Sequence, residues 1–213
     1  MKTDELIMNL VDAPRRPGRA EVGRKLGLAV AAGLAAALLL LPAIWGDTLR
    51  IAAAFARPMF WAKVMLPTSM TLAAVWVGAR LSRPGMPVGR AWFALALPVA
   101  VVAVAAGLVL AVTPAEARVD LVLGRTWRTC SLYIVGLSAP ALVVLLCAMR
   151  GLAATRPVAA GRVAGLLAGA IGALVYSLRC PEMAVPFWAV WYPVGMLVPA
   201  LIGGALGRRV LRW

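Results

Sequence analysis

Apolar and polar positions alternate along the chain in long blocks rather than in short periods. Six apolar runs stand out, roughly Leu26 to Trp45, Phe60 to Val77, Ala91 to Val112, Cys130 to Met149, Val163 to Leu178 and Phe187 to Leu206. Each approaches or exceeds the roughly 20 residues that a helix needs to cross a hydrocarbon core. Alanine, leucine and glycine dominate them, and no period-two alternation of a barrel strand is present. Lipid permits only helices and closed barrels, because every backbone donor and acceptor must be satisfied within the protein. The pattern therefore predicts an all-α integral membrane bundle of six helices, with the fifth run the shortest.

Composition agrees with this pattern. Hydrophobic residues make up 63% of the chain and charged residues 14%, against about one quarter charged in a soluble domain. The net charge of +14 would point to nucleic acid in a soluble protein. Here the arginines cluster between apolar runs, where they act as topology signals, so the expected partner is the lipid bilayer and not a nucleic acid. Most of the 22 lysines and arginines fall in the N-terminal tail, in 79–90, in 150–162 and in 207–213. Arg50, Arg57, Arg118, Arg125, Arg128 and Arg179 occupy the alternate loops. Both termini are therefore expected in the cytoplasm, with 1–25 a cytoplasmic segment, 26–206 the membrane domain and 207–213 a basic cytoplasmic tail.

The first residues have the marks of a short helix. Thr3 is placed to cap it, Asp4 and Glu5 suit the positive end of its dipole, and Pro14 stops it. Leu6, Ile7, Leu10 and Val11 then form one apolar stripe. A helix of about ten residues is marginal alone in water, so it orders against a partner or on lipid. Asp4, Glu5 and Asp12 disfavour an anionic leaflet and so favour the partner. The basic residues Arg15, Arg16, Arg19, Arg24 and Lys25 before an apolar run also suggest a signal peptide, but the run exceeds an h-region of about 7–15 residues.

Lys63 is the ionisable residue inside an apolar run, which makes it a functional candidate. It lies near the outer end of the second run, so its stem is expected to carry the ammonium to the interface. Pro67 is a possible kink. The third run is expected to be packing or lipid-facing surface, and Trp127 suits an interfacial aromatic belt.

Two cysteines stand where polar loops meet apolar runs on the expected outer side: Cys130 in Trp127-Arg128-Thr129-Cys130 and Cys180 in Leu178-Arg179-Cys180-Pro181-Glu182. Unpaired backbone donors at a helix start and two nearby arginines would favour the Cys130 thiolate. Cys147 lies about 25 Å further along the same helix at about 1.5 Å per residue, out of reach of both, and is expected to be packing. Gly161, Gly165 and Gly169 recur every fourth residue, a spacing that lets another helix approach closely. Cys180 projects from nearly the same face, so if the neighbour is the fourth helix, the two thiols meet at one depth. The pair could form a disulfide, or with the Glu182 carboxylate could hold a soft or borderline metal ion. Spacing alone leaves a joint role and two unrelated membrane-edge cysteines both open.

Met1-Lys2-Thr3-Asp4-Glu5-Leu6-Ile7, the two cysteine motifs above, and the closing Leu211-Arg212-Trp213 together resemble the bacterial family called negative regulator of sigma F. The resemblance covers essentially the whole chain. It implies a multi-pass anti-sigma factor of the bacterial inner membrane that sequesters an extracytoplasmic-function sigma factor. By this resemblance Thr3, Asp4, Glu5, Leu6, Ile7, Leu10 and Val11 hold the sigma factor. Cys130 and Cys180 are the sensor thiols, with Trp127, Arg128, Arg179, Pro181 and Glu182 around them. It implies release when the thiols bind heavy metal or are oxidised, and no cofactor beyond a transient heavy-metal ion at Cys130 and Cys180. Arg179 stands where relatives commonly carry histidine, which shifts the balance toward thiol oxidation or thiol-only capture.

Two other classes are weighed. A small transporter should carry polar residues at mid-membrane, and these helix interiors are nearly all alanine, leucine, valine and glycine. A membrane thiol oxidoreductase usually carries a Cys-x-x-Cys pair, and none is present. The chain has no histidine, hence neither the usual haem ligand nor the commonest zinc ligand. No catalytic constellation is visible, and an enzyme is not expected.

Overall fold

The structure, a computed structural model, describes residues 18–46, 55–83, 86, 88–150, 152 and 156–211. The stripe Thr3 to Val11, expected to bind a partner, lies outside them. Among these residues seven α-helices follow in order: α1 Arg19–Trp45, α2 Pro58–Leu81, α3 Phe93–Val112, α4 Ala115–Leu123, α5 Trp127–Arg150, α6 Pro157–Ser177 and α7 Val185–Val210. A short 3-10 turn, Gly89–Trp92, leads into α3. Proline in the first turn of α2, α6 and α7 starts each of them, where its missing N–H has no helical acceptor to lose.

The six spans expected from the apolar runs are all helices long and apolar enough to cross a membrane. The polar loop 113–129 differs from expectation, because it contains α4. Pro114 leads into α4 and Gly124, at φ 56°, ends it; none of its residues is buried. At the C-terminus the last helix carries on through Arg208 and Arg209 to Val210.

α6 is the centre of the bundle, with about three quarters of its apolar stretch buried (72%). It packs on α7, α5, α2 and α1. In α3, by contrast, only Ala106 is buried, while Phe93, Leu97, Val101, Val104, Leu108 and Val112 are exposed. That apolar surface suits contact with lipid, as the uniform third run suggested.

The glycine stripe does mediate a close helix approach, but not to the partner expected. A Cβ on Gly161 would meet Gly203 and Gly207, one on Gly165 would meet Pro199 and Ala200, and one on Gly169 would meet Met196. All of these belong to α7, so the stripe packs against the last helix and not against α5. A spacing of four marks a face of a helix without naming what covers it, and both α5 and α7 adjoin α6 in the chain. α7 answers with its own Gly203 and Gly207, which let backbone meet backbone. α5 reaches α6 at a fourth glycine, Gly172, where a Cβ would lie 3.0 Å from the Ser138 nitrogen.

Candidate functional site

A polar cluster forms where α6 ends, at the same end of the bundle as α4 and the start of α5. α6 stops at Ser177, and the chain turns through Leu178 and Arg179. The N–H groups of Arg179 and Cys180 both donate to the Tyr176 carbonyl, each at 2.9 Å. Pro181 brings no N–H to carry the helix further. This turn folds Cys180 onto the helix end, where it is 3% exposed.

Cys130, in the first turn of α5, is fully buried. Its backbone N–H donates to the Thr126 carbonyl at 2.9 Å, so the unpaired donor expected there does not exist. The Cys130 and Cys180 thiols lie close enough to influence each other's ionisation, and the Glu182 backbone N–H and the Tyr192 hydroxyl act on Cys180 as well. Both cysteines are free thiols.

Lys63 is a correction to the sequence reading. Its side chain does not run out to the interface but is fully buried. Nζ donates to the Cys180 carbonyl at 2.8 Å and to the Glu182 carbonyl at 3.2 Å. Phe60, Leu66 and Pro67 of α2 are buried beside it, so this face of the helix points into the bundle. The cation at the thiols is thus a lysine from a distant helix. Of the arginines expected to play that part, Arg128 lies 5.1 Å over the Trp127 ring.

Hydrogen bonding from Cys130 is the largest influence on the Cys180 thiol and lowers its pKa. Burial opposes it, while the Lys63 ammonium, the Glu182 N–H and the Tyr192 hydroxyl act with it. The result is a thiol lowered to about 7 from an ordinary value of 9.0. An anion beside donors and an ammonium is favoured even where water is scarce.

Glu182 is also placed differently from expectation. Its Oε1 accepts from the Arg125 backbone N–H at 2.8 Å and from the Thr126 hydroxyl at 3.4 Å. The carboxylate pins the α4–α5 connection and is not grouped with the two sulfurs; among the described residues no cluster of three or more His, Cys, Asp or Glu could hold a metal ion. Any soft ion here would have the two sulfurs alone among such ligands. Trp127, 5.5 Å from the Trp191 ring, and Ser131, whose hydroxyl donates to the Trp191 carbonyl at 3.1 Å, tie α5 to α7 at this end.

Cys147 is exposed, not packed inside as expected. It follows the exposed Leu132 and Val143 along the outer face of α5, away from the thiol site.

All three tyrosines of the chain gather at the site. Tyr176 stacks on Tyr133 with ring centroids 5.8 Å apart and lies 6.4 Å from Tyr192. The Ser177 hydroxyl donates to the Ala173 carbonyl at 2.8 Å and reaches the Tyr192 hydroxyl at 3.4 Å. Sequence reasoning passed over Tyr176, Tyr192 and Ser177. The available signal was that every tyrosine stands within a few residues of the same end of an apolar run.

The profile described as "Negative regulator of sigma F" matches residues 10–213. The chain belongs to this family. The resemblance carried by the N-terminal and cysteine motifs thus holds over nearly the whole length. Over the full length of both chains the protein is 41% identical to "Probable anti-sigma-F factor NrsF" of Azospira oryzae and 39% identical to "Anti-sigma-F factor NrsF" of Caulobacter vibrioides. No solved structure matches. The family is one of regulators and not of enzymes.

Proposed function

We propose that the protein is a membrane-embedded anti-sigma factor. Its N-terminal segment holds an extracytoplasmic-function sigma factor, and the grip opens when Cys130 and Cys180 change state together. What supports this is that two free, buried cysteines from α5 and the turn after α6 come together at one end of the bundle, near enough for each to act on the other's ionisation. The names of the relatives support the anti-sigma part. The bias of basic residues toward both termini supports a cytoplasmic N-terminus and thiols at the outer face of a bacterial inner membrane.

The favoured change is disulfide formation. Two S–H groups become one S–S bond, with two electrons and two protons passing to a two-electron oxidant such as a peroxide. Capture of a soft ion between the two sulfurs is the other change the pair allows. A disulfide is typically worth about 2–4 kcal/mol, whereas a swing from 1:99 to 99:1 needs about 5.5 kcal/mol. The resting protein therefore has to lie near enough to balance for that smaller energy to tip it.

A route for the change exists along α5. Ala141 lies about three turns beyond Cys130 on the same buried side of the helix. A Cβ on Gly33 of α1 would be 2.9 Å from the Ala141 Cβ, so α5 bears directly on α1, which leads back to the N-terminal segment. In the test, full-length protein with Cys130→Ser and Cys180→Ser is co-purified with its sigma factor, with and without hydrogen peroxide. Retention under both conditions is expected, with release from the wild type only on oxidation. Equal release from the double variant would overturn the sensor role.

A further inference from the structure

The end of the bundle opposite the thiols, where α6 begins and α7 finishes, carries Arg156, Arg162, Arg208 and Arg209, all exposed. Among the described residues, acidic groups are Glu21, Glu116, Asp120 and Glu182. The last three belong to the thiol end, and Glu21 is bound to Lys25 at 2.8 Å. No described carboxylate therefore answers these four arginines.

The arginines edge a cavity and are not spread over a convex surface. Between α6 and α7 lies a cleft of about 650 Å³ lined by Val158, Arg162, Leu201, Leu206, Arg208 and Arg209. A second hollow of about 410 Å³ adjoins it through Val158 and Arg162, and adds Trp92 and Arg156. Arg162 is held in place by an absence: a Cβ on Gly204 would stand 2.7 Å from its Cγ and 3.3 Å from its Nε. The arginine lies across α7 because residue 204 has no side chain.

The cleft is thus lined by both cationic guanidinium groups and aliphatic side chains. It opens at the boundary of helices long enough to cross a bilayer. Guanidinium groups take phosphate oxygens two at a time, and the free N–H groups at the start of α6 add a favourable potential for an anion. A soluble anion would leave Val158, Leu201 and Leu206 uncovered; a phospholipid satisfies both parts of the cleft at once.

We propose that this cleft binds an anionic phospholipid, its phosphate held by Arg162, Arg208 and Arg209 and its acyl chains lying along Val158, Leu201 and Leu206. Three arginines without a carboxylate prefer a headgroup of net negative charge over a zwitterionic one. Arg156 and Trp92 extend the same site along the interface.

The test is native mass spectrometry of the full-length protein, delipidated and titrated with dioleoylphosphatidylglycerol or dioleoylphosphatidylcholine. The wild type is expected to retain phosphatidylglycerol at least about tenfold better. Arg162→Gln, Arg208→Gln and Arg209→Gln together should bring the two lipids within about twofold, while Arg118→Gln with Arg125→Gln at the other end leaves the preference intact. Gly204→Val, which keeps every charge but displaces Arg162, should also reduce it. Equal retention of the two lipids by the wild type, or an unchanged preference in the triple variant, would overturn the proposal. So would displacement of the lipid by millimolar inorganic phosphate, which would mean an anion site only.

Discussion

Replacing Lys63 by methionine separates the electrostatics of the thiol site from its packing, because methionine fills much the same volume without the ammonium. Stability alone is a poor readout. The Cys180 and Glu182 carbonyls each lose a buried donor, at about 1–3 kcal/mol apiece. Removing a desolvated charge returns several kcal/mol. These effects oppose each other, so the melting temperature does not decide between them.

The ionisation of Cys180 does decide. With its pKa lowered to about 7, Cys180 would be roughly half thiolate at neutral pH. An opposite charge at close range is worth about one unit or more; losing it would move the titration to about 8 and leave roughly a tenth as thiolate. Nucleophilicity rises with basicity, by about threefold per unit. The variant should therefore alkylate about twofold slower at pH 7, about threefold slower below pH 6 and about threefold faster above pH 9. The assay is iodoacetamide labelling of Cys180 read by mass spectrometry in a Cys147→Ser background from pH 5.5 to 9.5. Because the site is buried, labelling needs a local opening, which scales the whole profile without moving its inflection. Lys63→Arg should keep the inflection near that of the wild type. If Lys63→Met and wild type inflect at the same pH, the ammonium does not act on Cys180.

Other substitutions test the scaffold around the site. Gly124 has φ 56° and ψ −165°, a region essentially reserved for glycine, and an added Cβ would lie 2.7 Å from Phe187 and 2.9 Å from Glu182 Oε2. Gly124→Ala should cost about 1–3 kcal/mol, read as a lower thermal midpoint in detergent. Gly165→Ala would set a Cβ 2.7 Å from the Ala200 Cα; the resulting overpacking, about 1–3 kcal/mol, should lower resistance to sodium dodecyl sulfate. Gly136→Ala, with nothing within 4 Å, should be neutral or gain up to about 1 kcal/mol from helix propensity. Trp191→Phe removes the indole donor to the Val122 carbonyl at 2.9 Å. Hydrogen exchange should then speed up across α4, which has no buried residue, while α6 is unchanged.

The six spans were legible because lipid leaves the backbone few solutions, and an apolar run of sufficient length dictates a helix. The two thiols were legible as residues because each interrupts the apolar pattern at a run boundary. What could not be read was the set of groups surrounding them. Lys63 illustrates the limit. A lysine near the end of an apolar run has a stem long enough to reach water or to turn inward, and the local pattern is the same in both cases. The choice is made by the carbonyls of Cys180 and Glu182, more than a hundred residues away, and by the face of α2 that the bundle covers. Glu182 shows the same limit in reverse. Its neighbour in sequence is the thiol loop, but its carboxylate is claimed by the Arg125 N–H and the Thr126 hydroxyl. Gly161, Gly165 and Gly169 announced a close helix contact, yet only the matching Gly203 and Gly207 of α7 decide whose. In each case chemistry local to the chain nominated the residue, and burial against a distant element assigned its partner. Lys63 and the turn after α6 depend on each other in just this way: the turn presents two carbonyls that no helix satisfies, and the ammonium is stable in the core only because they are there.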